Sequence, residues 1–361
     1  MVNREPHRLV QSPAPAAARS IDEVLSRMIQ KVGFIGLGNV GGKLARSVLR
    51  NGYELTVLDL DRKMAQPLLD EGAKWANTPK EMAEQVDVVA TCLPSPQICS
   101  DTVESSDGLI HGLSKGKVWI EMSTTIDSEV KRLGHLVQDR TGAFAMDTPV
   151  SGGCHRAATG NIAILAGGER ETFEKVLPVL STMGRRILHT GELGSASVLK
   201  VVTNFLASVH LAASCEALMV CKEAGMDLNV AYEAIKISSG NSFSHETESQ
   251  IILNGSRDIN FTMDLVVKDV SIFDELSKKH NIPLELSPLI RSIFEDGVKK
   301  YGPRELSPNI IKRLEDVVGS QVLAPGFPAD LIDTEPEVPG YEVVINNREP
   351  RVCRDDTVDQ S

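Results

Sequence analysis

The sequence predicts a doubly wound α/β sheet of mostly parallel strands followed by an all-helical C-terminal domain. Three observations carry that reading. Short apolar runs alternate with helical periods from Lys31 to about Gly191, the pattern of a parallel sheet with helices on both faces. From Val198 to about Lys300 the period is helical throughout. A chain of 361 residues also exceeds the size at which one core stops growing, so two domains are expected.

Residues 1–30 read as a disordered extension, because "QSPAPAAARS" is rich in Pro, Ala and Ser and has no apolar period. The first domain, residues 31–192, opens with the strand "KVGFIG", a helix "GGKLARSVLRNG" that Gly52 ends, and the strand "ELTVLDL". Further strands are expected at "VDVVATCL", "GKVWIEMS", "AFAMDTPV", "NIAILAGG" and "RRILHTG". The helical domain, residues 193–318, follows "GELGSAS". Its first helix, "VLKVVTNFLASVHLAASCEALMVCKEAG", runs to Gly225, and "VAYEAIKISSG", "TMDLVVKDVSIFDELSKKHN" and "PLIRSIFEDGVKKYG" come after it. Residues 319–361, including "APGFPADLIDTEPEVPGYEVV", carry prolines and acids without period and are expected to form a mobile or loosely docked tail.

The totals exclude several classes of function. A net charge of -11 leaves no basic excess to neutralise phosphates, so nucleic acid is not an expected partner. No apolar run is read as long enough to span a bilayer, so no membrane is expected. Cys92, Cys99, Cys154, Cys215, Cys221 and Cys353 form no Cys-x-x-Cys and have no histidines at zinc spacing. They read as reduced thiols of an intracellular protein, and no metal site is predicted. The cytoplasm is the expected location. The leader has Arg4, Arg8 and Arg19 but also Glu5, Asp22 and Glu23, which leaves a mitochondrial or other organelle matrix as the alternative.

Gly36-x-Gly38-x-x-Gly41 lies directly between the first strand and its helix, the setting of a Rossmann-type dinucleotide fingerprint. The first glycine permits a tight turn, the second admits the pyrophosphate to the backbone, and the third lets helix and strand pack closely. Asn39 and Val40, inside the motif, count with them as cofactor-binding, and the helix N-terminus offers its free N–H groups to the phosphates. Asp59 ends the second strand 23 positions after Gly36, placed to accept hydrogen bonds from the adenosine ribose. Its charge repels a 2′-phosphate, so NAD is favoured over NADP, although nearby Arg62 leaves some NADP use open.

Ser151-Gly152-Gly153 exposes backbone N–H groups that no side chain shields, which suits a carboxylate as well as it suits a plain turn. Lys200 and Asn204 stand four apart, on one face of a strongly apolar helix. A lysine there can take a hydroxyl proton in oxidation and return it in reduction once burial lowers its pKa, and Asn204 can hold the substrate by neutral hydrogen bonds.

Together these residues resemble the β-hydroxyacid dehydrogenases, over about Met28 to Glu315. The likeness rests on "GFIGLGNVG", "EMSTT", "DTPVSGGCHRAATGN", "GSASVLKVVTN" and "FTMDLVVKDVSIF", which stand in the family's order. The resemblance implies that Lys200 is catalytic with Asn204 beside it, and that Ser151, Gly152 and Gly153 cradle the substrate carboxylate. It also implies that Thr124 sits by the nicotinamide, that Leu93 and Pro94 line the cofactor, and that Lys268 reaches the site from the second domain. It implies a homodimer or homotetramer. His155 and Arg156 depart from the family, which commonly has small residues there. Arg156 either points into the cleft and binds a second anionic group of the substrate, or points outward as a solvated charge.

The expected function is therefore hydride transfer between NAD and a small anionic 3-hydroxy acid, or its semialdehyde or keto acid. The alternatives are an NADP-dependent reductase of the glyoxylate or succinic-semialdehyde type and a non-catalytic nucleotide-binding sensor or scaffold. Leu60, where such reductases usually carry an arginine, argues against the first, and the intact Lys200–Asn204 pair argues against the second.

Overall fold

A computed structural model describes residues 29–345 of the chain. The leader expected to be disordered therefore lies outside the described residues, apart from its last two. The strands β1 (Lys31–Ile35), β2 (Glu54–Leu58), β3 (Lys74–Trp75), β4 (Val88–Thr91), β5 (Val118–Glu121) and β6 (Phe144–Asp147) form a parallel sheet in the order β3-β2-β1-β4-β5-β6. The helices α1 (Gly41–Arg50), α2 (Arg62–Asp70), α3 (Pro79–Gln85), α4 (Pro96–Glu104) and α5 (Asp127–Thr141) lie between them.

The strands are buried on both faces, which is why they read as continuous apolar runs. Alternate residues still separate: Val32, Phe34, Val88, Ala90, Val118 and Ile120 enter one core, whereas Ile35, Val89 and Trp119 enter the core on the opposite face. The strand order reverses between β1 and β4, and at such a reversal the carboxyl ends of the strands leave a crevice for a ligand.

Beyond β6 the sheet changes character. The strands β7 (Val150–Ser151) and β8 (Ile162–Gly167) are antiparallel to each other, with α6 (Gly153–Thr159) between them. After α7 (Arg170–Met183), β9 (Gly184–Gly191) runs parallel to β8. The chain then enters α8 (Ser195–Glu223), the long axis of a helical region that includes α9 (Leu228–Lys236), α10 (Phe243–Leu253), α11 (Met263–Lys279), α12 (Leu286–Tyr301) and α13 (Lys312–Val318). Leu211, Leu218, Ile252, Val266, Phe294 and Ile311 form its core.

Two expectations are corrected here. The tail beyond residue 318 is docked as far as it is described. Val322 is fully buried in the helical core and Phe327 packs edge-on against Tyr232, so the helical unit extends past residue 318. The chain then crosses to the first domain, where β10 (Tyr341–Glu342) joins the sheet parallel to β9 and Arg170 pairs with Glu342. These contacts are backbone pairings and ion pairs, which leave no apolar period to read. The second correction concerns α8, which is long and apolar enough to cross a membrane by length and composition. In this fold it is the central helix, packed by α9, α10, α11 and α12, although only 28% of its most apolar stretch is buried within the chain.

Candidate active site

The glycine motif has the shape its spacing implies. Gly36 has φ +92°, and a Cβ on it would stand 2.3 Å from the Cys92 carbonyl oxygen. A Cβ on Gly41 would stand 2.0 Å from the Gly36 carbonyl oxygen, so only glycine lets α1 approach its strand. A Cβ on Gly38 would meet nothing within 4 Å. The loop is thus pinned at both ends and open in the middle, as a cradle for a pyrophosphate must be. Asp59 reaches the same loop: Oδ2 accepts from the Leu37 N–H at 2.6 Å and Oδ1 from the Asp61 N–H at 3.0 Å. A carboxylate offers about four acceptor positions, so two remain for ribose hydroxyls. Leu60 is fully exposed and supplies no charge.

Two loops next to the glycines are tied together from below. Glu121, at the end of β5, is buried and accepts from the Thr91 hydroxyl at 2.6 Å and the Ser123 N–H at 2.7 Å. Burial pushes its pKa up. Ser123 Oγ in turn accepts from the Leu93 N–H at 2.7 Å, which sets the Leu93–Pro94 turn beside the segment carrying Thr124.

The catalytic candidates converge through a relay the sequence reading did not include. Lys200 Nζ donates to Asn204 Oδ1 at 2.7 Å, and Asn204 Nδ2 donates to Asp269 Oδ2 at 2.5 Å. An ionised carboxylate only accepts, so Asp269 fixes the amide with its oxygen toward Lys200. Asp269 Oδ1 lies 3.0 Å from Lys268 Nζ, which also donates to the Thr124 carbonyl at 3.1 Å. Lys268 thereby joins the helical domain to the loop expected beside the nicotinamide. Asp269 stands beside Lys268 in the block "FTMDLVVKDVSIF", from which only Lys268 was singled out as a site residue.

Lys200 is 8% exposed. Burial lowers its pKa to about 8; Asp269 opposes that shift and Lys268 adds to it. Cys92 marks how close the parts lie. Its Cβ is the third-nearest atom to a side chain built on Gly41, at 3.3 Å. Its thiol pKa is pushed up to about 12, by burial first and then by Glu121 and Cys154, while Lys200 and Lys268 oppose. Cys92 thus adjoins the glycine loop and feels the charges of Lys200 and Lys268. Burial raises the pKa of the Cys154 thiol as well.

Gly152 and Gly153 have φ values of +131° and +87°, a region that strains other residues. They hold the backbone so that the first N–H groups of α6, which no helix carbonyl can satisfy, are presented together. Ser151 is paired through the backbone to Ala163 of β8. No hydrogen bond among the described residues joins the cradle to Lys200. Arg156 adopts neither expected orientation as a free charge: it is paired with Glu335 of the tail at 3.1 Å and lies over the Phe243 ring, 5.0 Å from its centroid. Asn39 bridges the domains, its Nδ2 donating to the Asn260 carbonyl at 3.3 Å.

Known proteins share this build. Residues 31–191 match the family described as the NAD binding domain of 6-phosphogluconate dehydrogenase. Residues 194–314 match that described as NAD-binding of NADP-dependent 3-hydroxyisobutyrate dehydrogenase. The 2-(hydroxymethyl)glutarate dehydrogenase of Eubacterium barkeri is 31% identical over 293 residues, 81% of this chain and 97% of the relative. Human mitochondrial 3-hydroxyisobutyrate dehydrogenase is 28% identical over 81% of this chain and 90% of its own. The crystal structure of 3-hydroxyisobutyrate dehydrogenase from Salmonella typhimurium superposes with a TM-score of 0.72 at 28% identity, covering 78% of this chain and 99% of that one. The likeness runs across both domains and takes in the glycine loop, the cradle and the lysine helix, so this NAD(P)-binding chain belongs to the β-hydroxyacid dehydrogenase family.

Proposed function

We propose that the protein transfers a hydride between NAD and a small 3-hydroxy acid, with Lys200 Nζ as the proton carrier. The observation that carries this is a buried lysine with a pKa of about 8, tied by Asn204 to Asp269 beside the dinucleotide cradle. A lysine so tuned changes charge near neutral pH, as a group that gives and takes a proton must.

The cofactor, when bound, accepts the hydride in oxidation and supplies it in reduction. The chain does the rest. The Ser151–Gly153 backbone holds the carboxylate, Asn204 keeps Lys200 oriented, and neutral Lys200 Nζ takes the hydroxyl proton as the C–H bond breaks. In reduction the Lys200 ammonium returns that proton to the carbonyl oxygen. Oxidation needs the neutral lysine, so kcat/KM for oxidation rises with pH and levels off above about 8. For reduction it falls above about 8. Rate profiles in both directions check the opposite signs, and two profiles that bend the same way would assign the titration to another group.

The choice of NAD rests on Asp59 at the glycine loop, with Leu60 uncharged beside it. An absorbance assay of the purified protein with NAD or NADP and a panel of 3-hydroxy acids tests the whole reading. We expect turnover with NAD, and Asp59→Ser to shift the NAD/NADP preference toward NADP by roughly tenfold or more. Faster turnover of the wild type with NADP would favour the reductase alternative. Cofactor binding without turnover across the whole acid panel would favour the scaffold alternative.

We further read the protein as a cytoplasmic homodimer or homotetramer. Leu199, Leu206 and Val220 leave an apolar face of α8 exposed, which a second copy would cover. Light scattering on the full chain would read the subunit number.

A further inference from the structure

Arg156 sits on the helix that begins at the substrate cradle. Its Cδ is 3.3 Å from the position a Gly152 side chain would start from, so it adjoins the turn itself. Its charge is already countered. Arg156 Nη2 is 3.1 Å from Glu335 Oε1, and the two side chains are only 25% and 26% exposed.

Glu335 is held firmly in that place. Its carbonyl accepts from Asn161 Nδ2 at 3.0 Å, its N–H donates to Asp333 Oδ1 at 3.1 Å, and its carboxylate also accepts from Arg186 at 3.2 Å. Asp333 secures the same segment, accepting from Asn161 Nδ2 at 2.7 Å and from the Thr159 hydroxyl. The segment that delivers this carboxylate lies beyond residue 314, where the match to the family ends.

We propose that Glu335 is a specificity-determining residue, an internal carboxylate that fills the second anion position beside the cradle and confines the site to hydroxy acids with one carboxylate. A substrate with a second carboxylate would have to displace Glu335 from Arg156 or sit against its like charge, and either is costly in a partly buried site. The proposal rests on the hydroxy-acid reading above and adds the charge class of the substrate.

Two probes isolate the effect. 3-Hydroxyisobutyrate and 2-(hydroxymethyl)glutarate both carry a hydroxymethyl group beside a carboxylate, and the second compound replaces a methyl by an arm ending in another carboxylate. We would measure kcat/KM for both with the full-length wild type, Glu335→Gln and Glu335→Gln/Arg156→Ala. The wild type should prefer the monoanion. The dianion-to-monoanion ratio should rise roughly tenfold in Glu335→Gln, as an unopposed arginine gains a carboxylate partner, and fall back in the double variant.

Equal or better use of the dianion by the wild type would overturn the proposal. So would an unchanged ratio in Glu335→Gln, or a gain that survives loss of Arg156. Calorimetric titration of glutarate into the same three proteins decides the matter without turnover. Tighter glutarate binding in Glu335→Gln alone supports the proposal, and equal binding in all three sinks it. Should no variant turn over either acid while the titration still shows that gain, the hydroxy-acid reading fails and the assignment of Glu335 stands.

Discussion

Replacing Lys200 with alanine is expected to lower kcat by roughly 10³-fold while leaving the fold intact, because a positioned proton carrier contributes about 10²–10⁴. The lysine is buried, and burial is what brings its pKa down to about 8. Its ammonium form is poorly solvated in the fold, so removing it relieves a cost of burial instead of adding one. Melting temperature should therefore stay level or rise as activity collapses, a combination that general destabilisation does not produce. Lys200→Arg sharpens the test. A guanidinium does not lose its proton at working pH, so it cannot serve as the base and oxidation should remain lost. If Lys200→Ala kept more than about a tenth of wild-type kcat with its pH profile unchanged, proton transfer would have to be assigned elsewhere.

Asp147→Ala is expected to be the most destabilising single change at the site, by roughly 3 kcal/mol. Asp147 is fully buried at the end of β6 and caps the start of α8. It accepts from the Gly194 N–H and the Ser197 N–H, both at 2.7 Å, and from the Ser197 hydroxyl at 2.9 Å. Alanine would leave these donors buried without an acceptor. A loss of that size lowers Tm by roughly 6–12 °C in a domain of this size. Activity should fall further than the unfolded fraction explains, because the cap sets where Lys200, one turn on, enters the site. Asp147→Asn keeps one acceptor oxygen and should lose less of both. A melting temperature unchanged in Asp147→Ala would show that α8 is positioned by its packing alone.

Several parts of this site were legible as text because their geometry is local. Three glycines at fixed spacing between an apolar strand and a helix fit a tight turn packed under that helix, and the close approaches at Gly36 and Gly41 are that requirement in space. Lys200 and Asn204 are neighbours because a helix repeats every 3.6 residues, whatever surrounds it. Gly152 and Gly153 announced a backbone that other residues resist. Asp269 was harder, since its partner Asn204 is on another helix and only the crossing of α8 with α11 brings them together. Asp147 looked like the end of a strand, and nothing in its neighbourhood told that Gly194 and Ser197 would return to it.

The tail shows where reading by period stops. Its prolines and acids carry no amphipathic stripe, and that absence suggested mobility. Yet Asp333, Glu335 and Glu342 find Asn161, Arg156, Arg186 and Arg170 already arranged on the first domain, and β10 finds an open strand edge at β9. Sequence by itself determined the two-part architecture, the dinucleotide cradle and the pairing of Lys200 with Asn204, because each follows from backbone conformation or from residues within one helical turn. The tertiary structure alone decided the burial of Lys200, the partner of Asn204 and the fate of Arg156. Those depend on desolvation and on pairing between charges far apart in the chain, and both exist only once the elements have packed.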